Sequence, residues 1–115
     1  MNYLMIDCEN SIPKNLNKLN KNEWTIVAFI GAKQHSFSTV FAMQMQSFGN
    51  NGKYVKVNHS GKNSLDFHLT FEMGRICQQD NSATFHIYSN DQGFDPLVKS
   101  LNDQGYAAFR SVVIQ

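Results

Sequence analysis

NYLMID, residues 2–7, is a short apolar run closed by Asp7 and then by the polar Glu9 and Asn10. Such a run reads as a buried strand. WTIVAFI, Trp24 to Ile30, repeats the pattern with β-branched and aromatic residues and stops at Gly31. Tyr54–Val57 and Thr84–Tyr88 read as a third and a fourth strand, and a last one falls within Tyr106–Ile114.

The segments between these runs carry helical signals. Asn10 or Ser11 with Pro13 behind it resembles a helix start, and Leu16 and Leu19 give that segment a modest apolar face. Ser38–Phe48 spaces Val40, Phe41, Met45 and Phe48 as one helix face, and Gly49-Asn50-Asn51-Gly52 supplies a stop and a turn. Asn63 is placed to cap a helix that runs to about Gln78, with Leu65, Leu69, Met73, Ile76 and Cys77 inward. Asp95-Pro96 opens a fourth helix with Leu97, Val98 and Leu101 inward, ended by Gly105. Alternation of this kind predicts an α/β fold, a mainly parallel sheet with right-handed crossovers and helices on both faces.

A chain of 115 residues with 42% apolar composition is expected to form one domain over residues 1–115 around one core. Tyr3–Ile6 is too short for a signal-peptide core, and no stretch approaches the ~18–20 apolar residues of a membrane span. A cytosolic protein without membrane contact is therefore expected. Cys8 and Cys77 lack metal-ligand spacing and read as core thiols. Ten Lys and Arg against nine Asp and Glu leave a net charge of +1, so no global basic field points to a partner. His35, His59, His68 and His86 show no paired ligand spacing and read as surface or partly buried side chains, and Gly31 and Gly61 belong to no dinucleotide or Walker pattern.

The placement of the acids is more informative. In an open parallel sheet, ligands bind beyond the carboxyl ends of the strands. Asp7 ends the first strand, Asp91 follows the fourth, and Asp66 and Asp95 lie in the first turns of the flanking helices. Each has a plain structural alternative. Asp66 fits a capping-box-like start, Asp95 before Pro96 fits an N-cap, and Asp91 in Asn90-Asp91-Gln92-Gly93 fits a turn that bonds its own backbone. Asp7 is harder to explain so, because a carboxylate ending an apolar strand is costly unless it is paired or metal-bound. Four carboxylates on one rim call for a hard cation, Mg²⁺ or Mn²⁺, suited to phosphoryl chemistry. Lys33, Lys53, Lys56 and Lys62 lie around turns on the same edge or in the third strand, and either follow a phosphate backbone or form a solvated face.

The segments IDCEN (Ile6–Asn10), GKNSLDFHLTFEMG (Gly61–Gly74) and HIYSNDQGFDPL (His86–Leu97), with FIGAKQ (Phe29–Gln34) in support, resemble the PIN-like nucleases, close to the set that includes the NYN ribonucleases. The resemblance implies a three-layer sandwich with about five strands in the order 3-2-1-4-5, which brings Asp7 beside Asp91. It further implies Asp7, Asp66, Asp91 and Asp95 as catalytic, metal-binding acids, with Glu9, Asn10 and Ser89 supporting them. Asn10 would orient Asp7, and Ser89 matches a small hydroxyl residue before the third motif. Lys33, Lys62 and Arg110 are the expected substrate contacts, Arg110 having a plain surface charge as its alternative. The chain ends at Gln115, where many members of this set continue with further helices or another domain.

The expected function is that of a Mg²⁺- or Mn²⁺-dependent endoribonuclease acting on single-stranded or structured RNA, by resemblance in a toxin or defence system with an antitoxin as protein partner. The alternative is a catalytically inactive module of the same fold that binds a protein partner or a nucleotide signal. Self-association through an apolar patch of the Phe37–Phe48 segment is left open.

Overall fold

The computed structural model describes residues 1–114; Gln115 lies outside the described residues. Strands β1 (Asn2–Asp7), β2 (Trp24–Ile30), β3 (Gly52–Lys56), β4 (Thr84–Tyr88) and β5 (Ala107–Ser111) form one sheet in the order β3-β2-β1-β4-β5. Every pairing is parallel. Helices α1 (Thr39–Ser47), α2 (Ser64–Gln79) and α3 (Asp95–Asp103) make the crossovers. Among the described residues, no helix is long and apolar enough to cross a membrane.

Because side chains alternate along a strand, β1 serves two cores. Met5, Val27, Phe29, Phe85 and Ile87 pack beneath α2, with Leu65, Leu69, Met73, Ile76 and Cys77 as the helix's contribution. Leu97, Val98 and Leu101 of α3 are partly buried against the same core. Leu4, Ile6, Ile26, Ala28 and Ile30 form the opposite core with Phe41, Met45 and Phe48 from the α1 segment. Cys8 and Cys77 are buried free thiols, and burial pushes the Cys8 thiol up to about 12, so it stays protonated at neutral pH.

Five local expectations need correction. The segment after β1 forms no α-helix, only a 3₁₀ turn at Leu16–Lys18. Gln44 replaces the missing ladder: its Oε1 accepts from Leu16 N–H at 3.1 Å and its Nε2 donates to the Lys14 carbonyl at 3.3 Å. Leu16 and Leu19, three apart, suit the threefold period of that turn. Asn63 precedes α2 in the left-handed region, φ 63°, and its side chain caps nothing. Asp95 is the first residue of α3, not its N-cap; Phe94 stands at that position. Val40 is solvent-exposed, as is Met43, so α1 is narrower in its buried face than its spacing implied. His86, unlike the exposed His35, His59 and His68, is buried, with Nε2 3.1 Å from the Ser111 carbonyl.

Candidate functional site

β1 ends on an odd-numbered residue, so the alternation that sends Met5 toward α2 sends Asp7 to the same face. Asp7 is nearly fully buried as a residue, at 4% exposure, and its carboxylate is held from two sides. The Ser89 hydroxyl, fully buried, donates to Asp7 Oδ2 at 3.1 Å, and the Asn10 backbone N–H donates to Oδ1 at 3.3 Å. The same Ser89 oxygen accepts from Asp91 N–H at 3.0 Å. Asn10 Oδ1 accepts from Asn90 N–H at 2.9 Å, tying the loop after β1 to the loop after β4. Asp91 Oδ1 accepts from Gly93 N–H at 2.8 Å, so the turn role read for it is present. A second carboxylate oxygen remains.

Asp66, in the first turn of α2, completes the group. Asp7, Glu9, Asp66 and Asp91 line one cavity of about 230 Å³, with Asn10, Asn63 and Ser64 at its walls and no Lys, Arg or His. Burial raises the Asp66 carboxyl to about 6, and the negative charges of Asp7 and Asp91, the hydrogen bond with Asp91 and the charge of Glu9 push the same way. Burial also raises Asp7; Glu9 and Asp91 add to this, while the bonds from Ser89 and Asn10 oppose it. Burial, reinforced by crowded like charges, produces this pattern.

Asp95 does not line that cavity. Its carboxylate accepts from Arg110 Nε at 2.7 Å and from Nη2 at 3.2 Å, and this hydrogen bonding holds Asp95 below the usual carboxylate range. Arg110 Nη1 also donates to the Ser89 carbonyl at 3.1 Å, which leaves its guanidinium facing the protein's own acceptors. Lys56 is likewise engaged, its Nζ donating to the carbonyls of Gly31 and Gln34 at 2.7 and 2.6 Å. Lys33 and Lys62 are exposed, and Lys33 lines a neighbouring cavity that shares Glu9 and Ser64 with the acidic one.

Gln34 and Gly31, which the sequence reading held within FIGAKQ and without a role at the site, also contribute. Gln34 Nε2 donates to the Cys8 carbonyl at 3.0 Å and its Oε1 accepts from Gly31 N–H at 3.1 Å, which fixes the loop beneath Glu9. A Cβ on Gly31 would fall 2.6 Å from Glu9 Cγ and collide with its carboxylate. Gly31→Ala is therefore expected to swing Glu9 out of the cavity and to relieve part of the upward push on the Asp66 carboxyl, to which the charge of Glu9 contributes. Its melting temperature should stay near that of the wild type, and Glu9→Ala should add nothing to it in a double-mutant cycle. An Asp66 titration unchanged in Gly31→Ala would show that Glu9 does not face the cavity.

The raised Asp66 carboxyl also predicts a pH dependence of stability without metal. Between its ordinary value, 3.8, and about 6, the folded state binds the proton and the unfolded state releases it. Stability from this group is thus full below about pH 4 and is lost as pH rises through about 6. Asp66→Asn should flatten that part of the melting profile in EDTA. Identical pH slopes for the two proteins would contradict the assigned environment.

The donor set suits a hard divalent cation: carboxylate oxygens from four acids with no cationic side chain among them. As arranged, no three Asp, Glu, His or Cys among the described residues stand close enough to hold an ion, so the exposed Glu9 and the half-buried Asp66 and Asp91 must turn inward to do so. The chain finds no match among curated proteins or solved structures. The family model described as PIN domain matches residues 1–111, the span that carries the whole sheet and every acid above, and the chain belongs to the PIN domain family.

Proposed function

We propose that the chain is a divalent-metal-dependent endoribonuclease whose site is the Asp7, Glu9, Asp66 and Asp91 cavity. PIN domains are generally nucleases and typically use divalent metals. The observation that carries the reading is the buried Asp7 tied through Ser89 to Asp91, with Asp66 raised to about 6 beside them. So much uncompensated negative charge is costly to a fold that makes no use of it.

Asp7, Asp66 and Asp91 would hold the ion, with Glu9 at its open side. When bound, the ion would activate water and neutralise charge on the scissile phosphate. Ser89 and Asn10 keep the Asp7 carboxylate from turning, and Asn10 keeps the β4 loop at the distance that Asp91 needs. The N-terminus of α2 opens on the same cavity, and its dipole favours an approaching phosphate. Asp95 would act through Arg110, whose position it sets. Lys33 and Lys62, both exposed, would meet the phosphate backbone, and a toxin or defence role remains part of this reading.

RNA and DNA oligonucleotides of one sequence, each incubated with the purified protein and Mn²⁺, test the substrate class. RNA should be cut and DNA spared; cleavage of both at equal rates would remove the ribonuclease assignment. One observation favours a second reading, a non-catalytic module that binds a protein partner or a nucleotide and uses its acids as turn and helix-end residues: Asp91 already accepts from Gly93 N–H within its own turn. Absence of cleavage on either substrate would support it.

A further inference from the structure

Phe67 and Phe71, on successive turns of α2, are 70% and 68% exposed. Single exposed apolar side chains are ordinary. These two lie four residues apart, hence on one helix face, and Phe67 borders a cavity of about 280 Å³ between α2 and the start of α3. Phe94 and Leu97 form the apolar wall of that cavity, and Thr70, whose hydroxyl donates to the Asp66 carbonyl at 2.8 Å, adds an acceptor oxygen. Asn63, Asp66 and Asp91 line both this cavity and the acidic one, so the two adjoin across these residues.

We infer that Phe67 and Phe71 form a stacking platform for unpaired bases, placing the base next to the scissile phosphate in the cavity beside Phe67. The inference rests on the nuclease reading and adds the substrate's strandedness to it. An occupant of this cavity must present an apolar face to Phe67, offer polar edges to Thr70, and carry a phosphate toward Asp66 and Asp91. An unpaired nucleobase does all three, whereas a base inside a duplex cannot expose its face. Charge strengthens the case. The chain carries a net charge of only +1, and Arg110 and Lys56 are already spent on internal acceptors. Phosphate attraction alone is therefore a weak source of affinity, and stacking, which tolerates any sequence, supplies what the cations do not.

The test is a titration of the full chain, in Ca²⁺, with a short single-stranded RNA carrying one 2-aminopurine, and with the same strand annealed to its complement. The single strand should bind more tightly and its fluorescence should be quenched by stacking. Phe67→Ala should weaken binding by about tenfold or more and Phe71→Ala by a smaller factor, with Phe67→Tyr restoring affinity. The Mn²⁺-induced rise in melting temperature of Phe67→Ala should equal that of the wild type, which shows that the fold and the acids are intact. Equal affinity of wild type and Phe67→Ala overturns the inference, as does failure of the wild type to bind the RNA. A change in sedimentation mass on Phe67→Ala without a change in RNA affinity assigns the face to a second copy of the chain, and overturns it too. Phe67-dependent RNA binding by a chain that cuts nothing would defeat the nuclease reading alone; cleavage with Phe67-independent binding would defeat this inference alone.

Discussion

Asp7→Asn and Asp91→Asn are each expected to lower RNA cleavage by about 100-fold or more while leaving the fold intact, because a lost carboxylate removes transition-state charge stabilisation worth several kcal/mol. The fold should survive for reasons visible in the hydrogen bonds. An Asn at position 7 still offers an oxygen to the Ser89 hydroxyl or to the Asn10 N–H, and an Asn at 91 still accepts from the Gly93 N–H. The loss would therefore be one of charge rather than of shape. Steady-state rates together with melting curves of the purified variants check this; retained cleavage in both would remove these acids from the mechanism.

The second large effect is thermal. An ion that binds only the folded state stabilises it by RT ln(1 + [L]/Kd), about 1.4 kcal/mol at ~10 times Kd. For a domain of this size that is a rise of about 5–10 °C in melting temperature. Asp91→Asn should behave differently twice over. Without metal it should melt at or above the wild type, because a charge that pushes Asp66 upward is gone. With Mn²⁺ it should gain much less. A wild-type melting temperature unmoved by Mg²⁺ or Mn²⁺, with a clear loss of stability in metal-free Asp91→Asn, would reduce the acids to turn and helix-end residues.

Legibility followed the range of the forces involved. NYLMID and WTIVAFI are β1 and β2 to the residue, because short apolar runs between polar stops have few alternatives in a buried sheet. The inward face of α2, from Leu65 to Cys77, was likewise readable from helical spacing alone. What could not be read depended on partners distant in sequence. Gln44, 28 residues from Leu16, takes the backbone groups that a first helix would have used. Arg110, 15 residues from Asp95, takes the carboxylate that the Asp-Pro signal assigned to capping. Asp95→Asn should consequently disturb Arg110 less than Asp95→Ala does, since the Asn oxygen still accepts from one guanidinium N–H, and the melting temperatures of the two variants check this.

The site shows the same division. That Asp7 and Asp91 stand side by side requires the β1–β4 pairing, and strand order came from resemblance rather than from any property of the strands themselves. The Gly31–Glu9 contact joins the loops after β2 and β1, and no spacing rule marks it in advance.

Reversible dependence of cleavage on a divalent ion tests the central claim most directly. A labelled single-stranded RNA is incubated with the purified chain and Mn²⁺, EDTA is added midway, and Mn²⁺ is then restored in excess. Cleavage should proceed, stop on chelation and resume at its earlier rate, with Asp91→Asn inert throughout. Cleavage that continues through EDTA, or an Asp91→Asn variant that cuts as fast as the wild type, would contradict a metal site built on Asp7, Asp66 and Asp91.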